Sequence, residues 1–494
     1  MKMLVRTIAG LVVAVALAGV GIALFAPISI PWRGPLSEAF PSLVDAPTAE
    51  RDVVESSLEV PAGYSISLFA SDVPDARMLR VTAAGDVLVV STRRGEITWL
   101  GADRDGDGVA DARRVLLTDL DGPNGIDIAD GFLYIAENRR VVRVAFDAAT
   151  GTVDGAPQVI IDNLPTGGNH WRKPIRFGPD GLLYMVIGST CNVCIEADER
   201  RATMLRYTKN GEYLGIYATG LRNSAGFDWR PADGQLYATD NGRDLLGDDF
   251  PPCELNQIRE GGFYGWPFAN GNRIADPDLG EGRQDVIAAS IPPVFEFRAH
   301  NAPLGIVFLR SERHGPHRGA AVVALHGSWN RTQKDGYKVV SLHWGADGSI
   351  ESRDFISGFL DNGTVRGRPA EVAEDAAGNV YVSDDYAHAV YRVTPGGTAL
   401  ALDLSERTTV AFSPRIGADP ARLIEGQALF DNGACLECHS VEAAPSDGRL
   451  SLSGVGERYD LVALVDYLEH PRAPMPPVAS GHEREALAEY LLAL

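Results

Sequence analysis

Cys435 and Cys438 are separated by two residues, and His439 follows directly, which is the pattern that attaches a haem to a polypeptide. The two thiols form thioether bonds to the haem, and the histidine ligates its iron. No second cysteine pair follows, which disfavours a zinc site. Met475, flanked by prolines, is the only methionine after the motif, and a thioether is a common sixth ligand of an electron-transferring haem. The pattern predicts a c-type haem in a small all-α cytochrome c domain over residues 418–494.

A second group of candidate ligands lies in an acidic stretch that contains Asp103, Asp105, Asp107 and Asp111. Carboxylates spaced two apart around glycines are typical of calcium loops, which wrap oxygen ligands around one hard cation. The twelfth position of this loop is Arg114, so the loop is not an EF-hand, which ends in a glutamate. We predict a structural calcium site between strands, with a solvated acidic turn as the alternative.

The composition of the chain limits its fold and its partners. Its 494 residues include 45 Lys and Arg against 66 Asp and Glu, which gives a formal charge of −21. Such a charge repels phosphate backbones and argues against nucleic-acid binding. The 53 Gly and 30 Pro favour a turn-rich, many-stranded body over a helical bundle. Five cysteines are too few for a disulfide scaffold.

The N-terminus carries a long apolar segment. Lys2 and Arg6 precede an uncharged run over residues 8–26, which is long enough to cross a bilayer as a helix. We predict a membrane anchor over residues 1–27, followed by a proline-containing tether over residues 28–57. The preceding basic residues would keep the N-terminus in the cytoplasm, so the body would be anchored to the inner membrane and face the periplasm. A cleaved signal peptide is the alternative.

Between the two ends, one pattern recurs six times: a turn with a glycine, followed by a short apolar strand. The glycines of the six copies are Gly85, Gly131, Gly181, Gly234, Gly319 and Gly378. Most of their spacings are near the length of one propeller blade, and the longest indicates an insertion. The repeats predict an all-β six-bladed propeller over residues 58–402, with loops at one mouth of its channel free to carry chemistry. A β-sandwich with similar hairpins is the alternative.

Several stretches within these repeats resemble the soluble quinoprotein aldose and sorbosone dehydrogenases, which are six-bladed propellers that bind pyrroloquinoline quinone (PQQ). The resemblance rests on the following stretches: Gly167-Gly168-Asn169-His170, Phe177-Gly178-Pro179-Asp180-Gly181, Gly220-Leu221-Arg222-Asn223, residues 248–256, Tyr264-Gly265-Trp266-Pro267, and Arg366-Gly367-Arg368. It runs through most of the third to sixth repeats and is closest to the sorbosone-type branch, which shares the Cys191–Cys194 loop and the Gly-Ser-Trp-Asn-Arg stretch that ends at Arg331.

The resemblance implies roles for individual residues. His170 matches the base that takes a proton from a sugar hydroxyl while a hydride passes to the quinone. PQQ is a flat tricarboxylate, which calls for fixed cations. By resemblance Arg222 and Asn223 would hold its carboxylate and quinone edge, and Arg366 and Arg368 would lie near its face or near the substrate.

Two further implications concern cations. A calcium ion near Gly242 and Arg243, bound partly by backbone carbonyls, would polarise the quinone oxygen. Ser189 stands where the glucose-oxidising relatives carry an aspartate, and Arg331 is the candidate for a cation that those relatives supply as a lysine. For Arg222, Arg366 and Arg368 the alternative is a structural ion pair, and for His170 it is a hydrogen-bonded loop histidine.

The remaining cysteines have simpler interpretations. Cys191 and Cys194 have no histidine after them, which favours a disulfide over a redox-active or zinc-binding pair. Cys253 is left as the odd thiol and is expected to be inert or partly buried.

Together these features predict a membrane-anchored quinohaemoprotein. Its propeller would use PQQ to oxidise an aldose or a sorbosone-like sugar and pass electrons to the haem of the same chain. A downstream acceptor such as a cytochrome, a quinone or an oxidase would follow. Two alternatives remain: a calcium-dependent lactonase, or a non-catalytic carbohydrate-binding propeller fused to an electron-transfer domain.

Overall fold

The computed structural model describes residues 49–396 continuously and, further on, residues 429–430, 439–440, 450–452, 455, 464–465, 467–468 and 481–492. The chain divides into two compact units, Met1–Leu400 and Ala401–Leu494. Among the described residues, no helix is both long enough and apolar enough to cross a membrane. The predicted anchor lies outside the described residues and stays a prediction.

The first unit consists of strands joined by short turns. The strands of its first half are β1 (Tyr64–Ala70), β2 (Ala76–Val81), β3 (Val87–Ser91), β4 (Glu96–Leu100), β5 (Arg113–Leu117), β6 (Gly125–Ala129), β7 (Phe132–Ala136), β8 (Val141–Asp147), β9 (Thr152–Ile161), β10 (Ile175–Phe177), β11 (Leu183–Ile187), β12 (Thr203–Tyr207) and β13 (Tyr213–Thr219). Those of its second half are β14 (Phe227–Trp229), β15 (Leu236–Asp240), β16 (Cys253–Ile258), β17 (Gly262–Phe263), β18 (Ala269–Asn270), β19 (Ile274–Ala275), β20 (Phe295–Phe297), β21 (Pro303–Phe308), β22 (Ala321–Leu325), β23 (Lys338–Trp344), β24 (Ile350–Ile356), β25 (Leu360–Asp361), β26 (Thr364–Val365), β27 (Pro369–Glu374), β28 (Val380–Asp384) and β29 (Ala389–Pro395).

These strands form six four-stranded or five-stranded sheets, which are the blades of a propeller. In chain order the blades are β2–β5, β6–β9, β10–β13 with β17, β14–β16 with β20, β21–β24, and β27–β29 with β1. The N-terminal strand β1 pairs with β29 as the outermost strand of the last blade and so closes the ring. A strand from before the first blade thus completes the last one, which links the two ends of the ring and leaves only short outer edges on the blades. The predicted six-bladed propeller is confirmed.

The repeated glycines have one structural role. Each of the six lies in the turn between the first and the second strand of its blade, and their φ angles run from 67° to 87°. This left-handed region is open to glycine at no steric cost. The second strands that follow are buried on both faces, as β3, β11 and β22 are along their whole length. This burial explains their continuous apolar sequence.

The longest repeat spacing corresponds to an insertion between β16 and β20. It begins after β16, at the edge of the fourth blade where β14 also ends. Strand β17 then runs parallel to β13 of the third blade. The insertion continues through the β18–β19 hairpin and, after one short helix (Gln284–Ala289), returns to the fourth blade. Because β17 runs in the same direction as β13, the residues that follow β17, 264–278, lie at the end of the blades where β13 finishes.

The last residues of the predicted tether differ from the expectation. Residues Arg51–Ser57 form a helix, α1, whose Val54 packs with Phe359 and Tyr391 in the core of the last blade. A 3-10 helix (Glu312–His317) joins β21 to β22.

The second unit is described only in part. A helix over Gly481–Leu492 and two short parallel strands, His439–Ser440 and Leu450–Ser451, are present. Phe430, Val455, Leu464 and Leu468 form a small core with residues of that helix. Cys435, Cys438 and Met475 lie outside the described residues, and of the haem motif only the backbone of His439 is described. The haem-binding cytochrome domain stays a prediction.

Candidate active site at one mouth of the propeller channel

The topology brings most of the predicted site residues to one end of the propeller. In an antiparallel blade, the start of the first strand and the end of the second lie at the same edge. His170, Arg222 and Arg368 each precede a first strand, whereas Gly242 and Arg331 follow a second strand. These five residues therefore share one mouth of the channel.

His170 has the hydrogen-bonding pattern of a proton acceptor. Its Nδ1 lies 2.8 Å from the hydroxyl oxygen of Ser189, and that hydroxyl donates to the carbonyl oxygen of Cys191 at 2.8 Å. Because the single hydroxyl proton goes to the carbonyl, Nδ1 must be the donor to Ser189, which leaves Nε2 with a lone pair. Burial, together with the neighbouring Arg222 guanidinium, lowers the pKa of His170 to about 3. The imidazole is therefore neutral at physiological pH.

The backbone around His170 is held from both sides. Arg201 is buried and donates to the carbonyl oxygens of Thr166 at 2.6 Å and Gly167 at 2.9 Å, which fixes the loop before the histidine. On the other side, a Cβ at Gly188 would lie 2.5 Å from the Cβ of His170. Only a glycine leaves room for the imidazole at this position.

Arg222 does not present a free guanidinium. Its Nε and both terminal nitrogens donate to protein oxygens at 2.8–3.0 Å. The acceptors are the backbone and side chain of Asn192, the carbonyls of Asn241 and Gly242, and the carboxylate of Asp244. All five donors of the guanidinium are thus used, so Arg222 organises the loops of the mouth instead of offering donors to a ligand.

Asn223 is in a different state. Its backbone amide donates to Asp240 at 2.6 Å, and within residues 49–396 its side-chain amide makes no hydrogen bond. Burial raises the pKa of Asp240 to about 7, although the backbone amides of Asn223 and Arg222 donate to it. The half-buried amide of Asn223 remains available to a ligand.

The predicted calcium position lies beside Arg222. The carbonyl oxygen of Gly242 accepts from Arg222 at 2.8 Å, and a second lone pair remains on that oxygen. The Arg243 side chain points to the insertion, where its Nη1 lies 2.8 Å from both carboxylate oxygens of Asp276 and its Nη2 donates to Asp278 at 2.8 Å. A calcium ion at Gly242 would share the carbonyl with a guanidinium, and these ligands stay a prediction.

Arg331 is also tied into the protein. Its guanidinium donates to the carbonyl oxygens of Asp248, Ala299 and Gln333 and to the carboxylate of Asp249 at 3.1 Å. The residue is buried, so its positive charge holds the 248–249 loop against the mouth. It is poorly placed to act as the additional cation for a ligand.

The structure separates Arg366 from Arg368. Arg366 is exposed and pairs with Asp361 at 2.6 Å, beside a cavity of about 400 Å³ that α1 lines. Arg368 lies at the mouth, where it donates to the carbonyl oxygens of His326 at 3.0 Å and Gly327 at 2.9 Å. Those two bonds leave Nη1 of Arg368 without a partner among the described residues, so this guanidinium can still bind a ligand.

Three residues of the mouth were not singled out from the sequence. Asp385 accepts from Arg77 at 2.5 Å and lies 2.7 Å from Nε2 of His326, and Arg77 also lies 3.2 Å from that nitrogen. Burial, with the nearby Arg368, lowers the pKa of His326 to about 3. Arg77, His326 and Asp385 are far apart in the sequence and form no motif. Only their positions at the ends of strands could have indicated that they meet.

Beneath the mouth, charged side chains fill the channel. They come from five of the six first strands: Arg80, Asp127, Arg176, Asp228 and Glu371. Arg176 pairs with Asp228 at 3.2 Å, and Arg80 lies 3.6 Å from Asp127 and 3.9 Å from Glu371. These ion pairs link side chains of neighbouring blades beneath the mouth and form the floor of the site.

The cysteines agree with the expectation. Cys191 and Cys194 form a disulfide, which confirms the predicted pairing. The disulfide encloses Asn192, whose side-chain oxygen accepts from Arg222 and from the backbone amide of Asp244, each at 2.8 Å. Cys253 is a buried free thiol whose pKa is raised to about 11 by burial, as an inert cysteine requires.

The acidic loop lies at the opposite end of the propeller, because it joins β4 to β5, the third and fourth strands of the first blade. Side chains of Asp103, Asp105 and Asp111 approach one another closely enough to share an ion, whereas Asp107 is not part of that group. Asp103 accepts three backbone amides and pairs with Arg392 at 2.7 Å. The calcium ligands predicted here stay a prediction, and they lie far from the mouth.

Comparisons with known proteins agree with this fold. An uncharacterized protein of Borreliella burgdorferi is 28% identical over 371 residues, which are 71% of this chain and 94% of that protein. The iodide structure of the Trichoderma reesei Carbohydrate-Active Enzymes Family AA12 protein matches with a TM-score of 0.62 at 19% identity, and covers 70% of this chain and 100% of its own. The calcium structure of the same protein matches with a TM-score of 0.60, at 19% identity over 69% of this chain and 97% of its own.

A further solved structure has the same fold. The holo form of the pyranose dehydrogenase PQQ domain from Coprinopsis cinerea matches with a TM-score of 0.59 at 19% identity, over 71% of this chain and 98% of its own. The sequence profile of the TrAA12-like family matches residues 58–252 and 272–396, which include strands of all six blades but omit β16 of the fourth blade and the start of the insertion. The chain therefore belongs to the TrAA12-like family.

Proposed function

We propose that the propeller is a PQQ-dependent sugar dehydrogenase. The observation that carries the proposal is His170, a neutral imidazole with a free Nε2, at the same mouth as guanidinium and amide groups that have unused donors. A solved structure with the same fold, from Coprinopsis cinerea, is a pyranose dehydrogenase PQQ domain, which supports the choice of cofactor and of substrate class.

The donor set at the mouth fits a planar carboxylate-bearing cofactor. Arg368 has an unused Nη1, and the amide of Asn223 has no partner among residues 49–396. The ion-paired floor gives the site a closed bottom on which a flat group can rest. When bound, PQQ supplies a quinone that accepts a hydride from the substrate carbon. Arg222 acts behind these residues by holding the loops that carry Asn192 and Asp244.

His170 performs the proton transfer in this proposal. Nε2 accepts the proton of a sugar hydroxyl, and the resulting imidazolium keeps its Nδ1 hydrogen bond to Ser189. The Ser189 hydroxyl, which accepts from Nδ1, donates its own proton to the carbonyl oxygen of Cys191. Because burial and the Arg222 guanidinium disfavour the charged imidazole, the imidazolium gives this proton to water at the open mouth once the product leaves.

Trp329 provides a surface for the sugar ring. The side chain is 45% exposed, although its neighbours Ser328 and Asn330 are buried. Asn330 donates to Asp244 at 3.3 Å and Arg331 is anchored to the 248–249 loop, so the indole is presented from a fixed loop. An exposed aromatic ring on a rigid loop is suited to stacking against the C–H face of a sugar.

The proposal includes calcium near Gly242. The calcium form of the Trichoderma reesei relative supports it, and the unused lone pair of the Gly242 carbonyl is a suitable hard ligand. Chelation of the loaded protein with EDTA is expected to lower sugar oxidation, and readdition of Ca²⁺ to restore it. Activity that is indifferent to EDTA contradicts this part of the proposal.

The final part of the proposal concerns electrons and location. We propose that electrons pass singly from the propeller to a c-type haem held by Cys435, Cys438, His439 and Met475, and from there to a downstream acceptor. Covalent fusion raises the effective concentration of such an acceptor. A membrane anchor over residues 1–27 would hold the enzyme on the periplasmic face of the inner membrane. Sugar-dependent appearance of reduced-haem absorption in the loaded full chain tests the transfer, and its absence contradicts it.

A dye-reduction screen tests the proposed function as a whole. The full chain is loaded with PQQ and Ca²⁺ and offered aldoses, sorbosone and simple alcohols. We expect reduction with at least one sugar and none without PQQ. Hydrolysis of lactones in the absence of PQQ would instead support a calcium-dependent lactonase, and saturable sugar binding without turnover would support a carbohydrate-binding propeller.

A further inference from the structure

Arg172 lies two residues after His170 on the same loop, and its guanidinium has no hydrogen bond to any residue of the described stretch 49–396. Its Nε is buried without a partner, and its guanidinium carbon lies 5.2 Å from the centre of the Trp171 ring. The loop itself is firmly held, because the fully buried Lys173 donates to the carbonyl oxygens of Asn138 at 2.6 Å and Trp171 at 2.8 Å. The unpartnered guanidinium is therefore a fixed feature of the mouth.

The charged groups that face Arg172 belong to the first and the last blades. They are Arg77, Asp385, Asp75 and Arg93. Both carboxylates already have other partners. Asp385 binds Arg77 and His326, and Asp75 accepts the backbone amide of Arg93 at 2.8 Å and lies 3.7 Å from its guanidinium. Neither carboxylate forms an ion pair with Arg172.

The local charge is positive. Arg368 acts on the same His326–Asp385 pair, and Asp384 lies beside Asp385. Four guanidinium groups then stand against three carboxylates, and 4 − 3 gives an excess of one positive charge. His326 adds none, because its pKa is lowered to about 3. This excess occurs in a chain whose formal charge is −21.

Such an arrangement destabilises the ligand-free protein. Burial, together with the repulsion of Arg77, lowers the pKa of Arg172 to about 10, which shows that its charged form is disfavoured there. A partly buried cation without a partner is a cost to folding unless a ligand neutralises it. Guanidinium groups bind planar carboxylates through two parallel hydrogen bonds.

We propose that Arg172, with Arg77 and Arg368, forms a carboxylate-binding subsite on the side of the mouth formed by the first and last blades. The inference rests on the proposed function and deepens it, since the resemblance assigns the cofactor's carboxylate and quinone edge to Arg222 and Asn223. The carboxylate belongs either to the PQQ cofactor or to an acidic sugar. Both sources present the same planar group, and binding measurements separate them.

The test compares Arg172→Gln with Arg366→Gln and with Arg353→Gln, a control on the exposed strand β24. Binding of PQQ to the full-length apoprotein is measured by isothermal titration calorimetry. We expect Arg172→Gln to weaken PQQ binding at least tenfold and the other two variants to stay within twofold of the wild type. The ligand-free Arg172→Gln protein is expected to unfold at the same or a higher temperature, because an unpaired cation has been removed.

A second titration, with glucuronate and with glucose, separates the two carboxylate sources. If only PQQ affinity falls in Arg172→Gln, the subsite binds the cofactor; if PQQ affinity is unchanged but glucuronate affinity falls while glucose affinity does not, it binds an acidic sugar. If Arg172→Gln binds PQQ and glucuronate as the wild type does, the subsite is contradicted while the proposed function stands. A wild-type protein that binds neither PQQ nor any sugar contradicts the proposed function itself.

Discussion

The hydroxyl oxygen of Ser189 lies 2.8 Å from Nδ1 of His170 and 2.8 Å from the carbonyl oxygen of Cys191. This relationship fixes the imidazole as the Nδ1–H tautomer, because a carbonyl can only accept and a hydroxyl has a single proton. By the resemblance stated for the sequence, Ser189 stands where the glucose-oxidising dehydrogenases carry an aspartate near the base. A neutral hydroxyl orients the ring without adding a negative charge that would raise the pKa of the base.

Replacing Ser189 tests this orientation. In Ser189→Ala the Nδ1 proton loses its acceptor, so we expect a mixture of tautomers and sugar oxidation that is about 10-fold slower, a partial loss of the roughly 100-fold or greater contribution of a positioned general base. Long-range ¹H–¹⁵N NMR of imidazole-labelled protein reports the tautomer directly. Ser189→Thr keeps the hydroxyl and is the matched control. A wild-type His170 in the Nε2–H form would contradict the assignment.

The same spectra test the protonation state of His170. Its pKa is lowered from 6.5 to about 3 by burial and by Arg222, so we expect the imidazole to remain neutral as the pH falls through 6 and 5. Because the unfolded chain binds this proton near pH 6.5, the histidine contributes stability that is complete above that pH and is lost as the pH falls towards 3. An imidazole that titrates near pH 6.5 in the folded protein would contradict the buried geometry.

Gly188 is predicted to set the position of the base by size alone. An added Cβ would lie 2.5 Å from the Cβ of His170 and 3.1 Å from the carbonyl oxygen of Arg222, at a backbone conformation that any residue can adopt. Gly188→Ala should therefore displace the imidazole and lower kcat by about 10-fold to 100-fold, as small misplacements of catalytic groups do. Gly181→Asn, in an open turn with φ of 75°, is the control. Equal kcat values in the wild type and Gly188→Ala would sink this prediction.

The blades of the propeller could be predicted from the sequence, whereas the contacts of some site residues could not. The six glycines identified the blades because each occupies a turn that needs a positive φ. His170 and Arg368 could be placed at one mouth because strand ends in a propeller are predictable. The state of Arg222 could not be predicted, since its acceptors Asn192 and Asp244 come from loops that only the folded chain brings together. Arg172 was missed for the converse reason: nothing in a sequence shows that an arginine lacks a partner.

Arg80 is predicted to stabilise the propeller through the channel floor. It is buried between Asp127 and Glu371, so Arg80→Met leaves two carboxylates without their cation. We expect the free energy of unfolding to fall by about 3–5 kcal/mol. Arg353→Met, which breaks an exposed pair with Glu351, should leave the free energy of unfolding nearly unchanged, because solvent screens such a pair. Urea unfolding of both variants gives the comparison, and similar losses would mean that the floor does not depend on its ion pairs.

The Cys191–Cys194 disulfide is predicted to stabilise the loop that holds Arg222 through Asn192. Closing such a short loop contributes about 2 kcal/mol by the chain-entropy model. The melting temperature of the wild type should therefore fall when reductant is added, whereas that of the Cys191→Ser, Cys194→Ser double variant should be low with and without it. Melting temperatures that do not respond to reductant in the wild type would show that the disulfide is dispensable.

The most direct test of the account is a single-turnover measurement on the full chain loaded with PQQ and Ca²⁺. The absorption of the bound quinone is followed after anaerobic mixing with a sugar that the dye-reduction screen has identified. The account predicts fast reduction in the wild type and reduction slower by about 100-fold or more in His170→Ala, with unchanged affinity for PQQ. Equal rates in the two proteins, or a wild type that binds PQQ but reduces it with no sugar, would contradict the account.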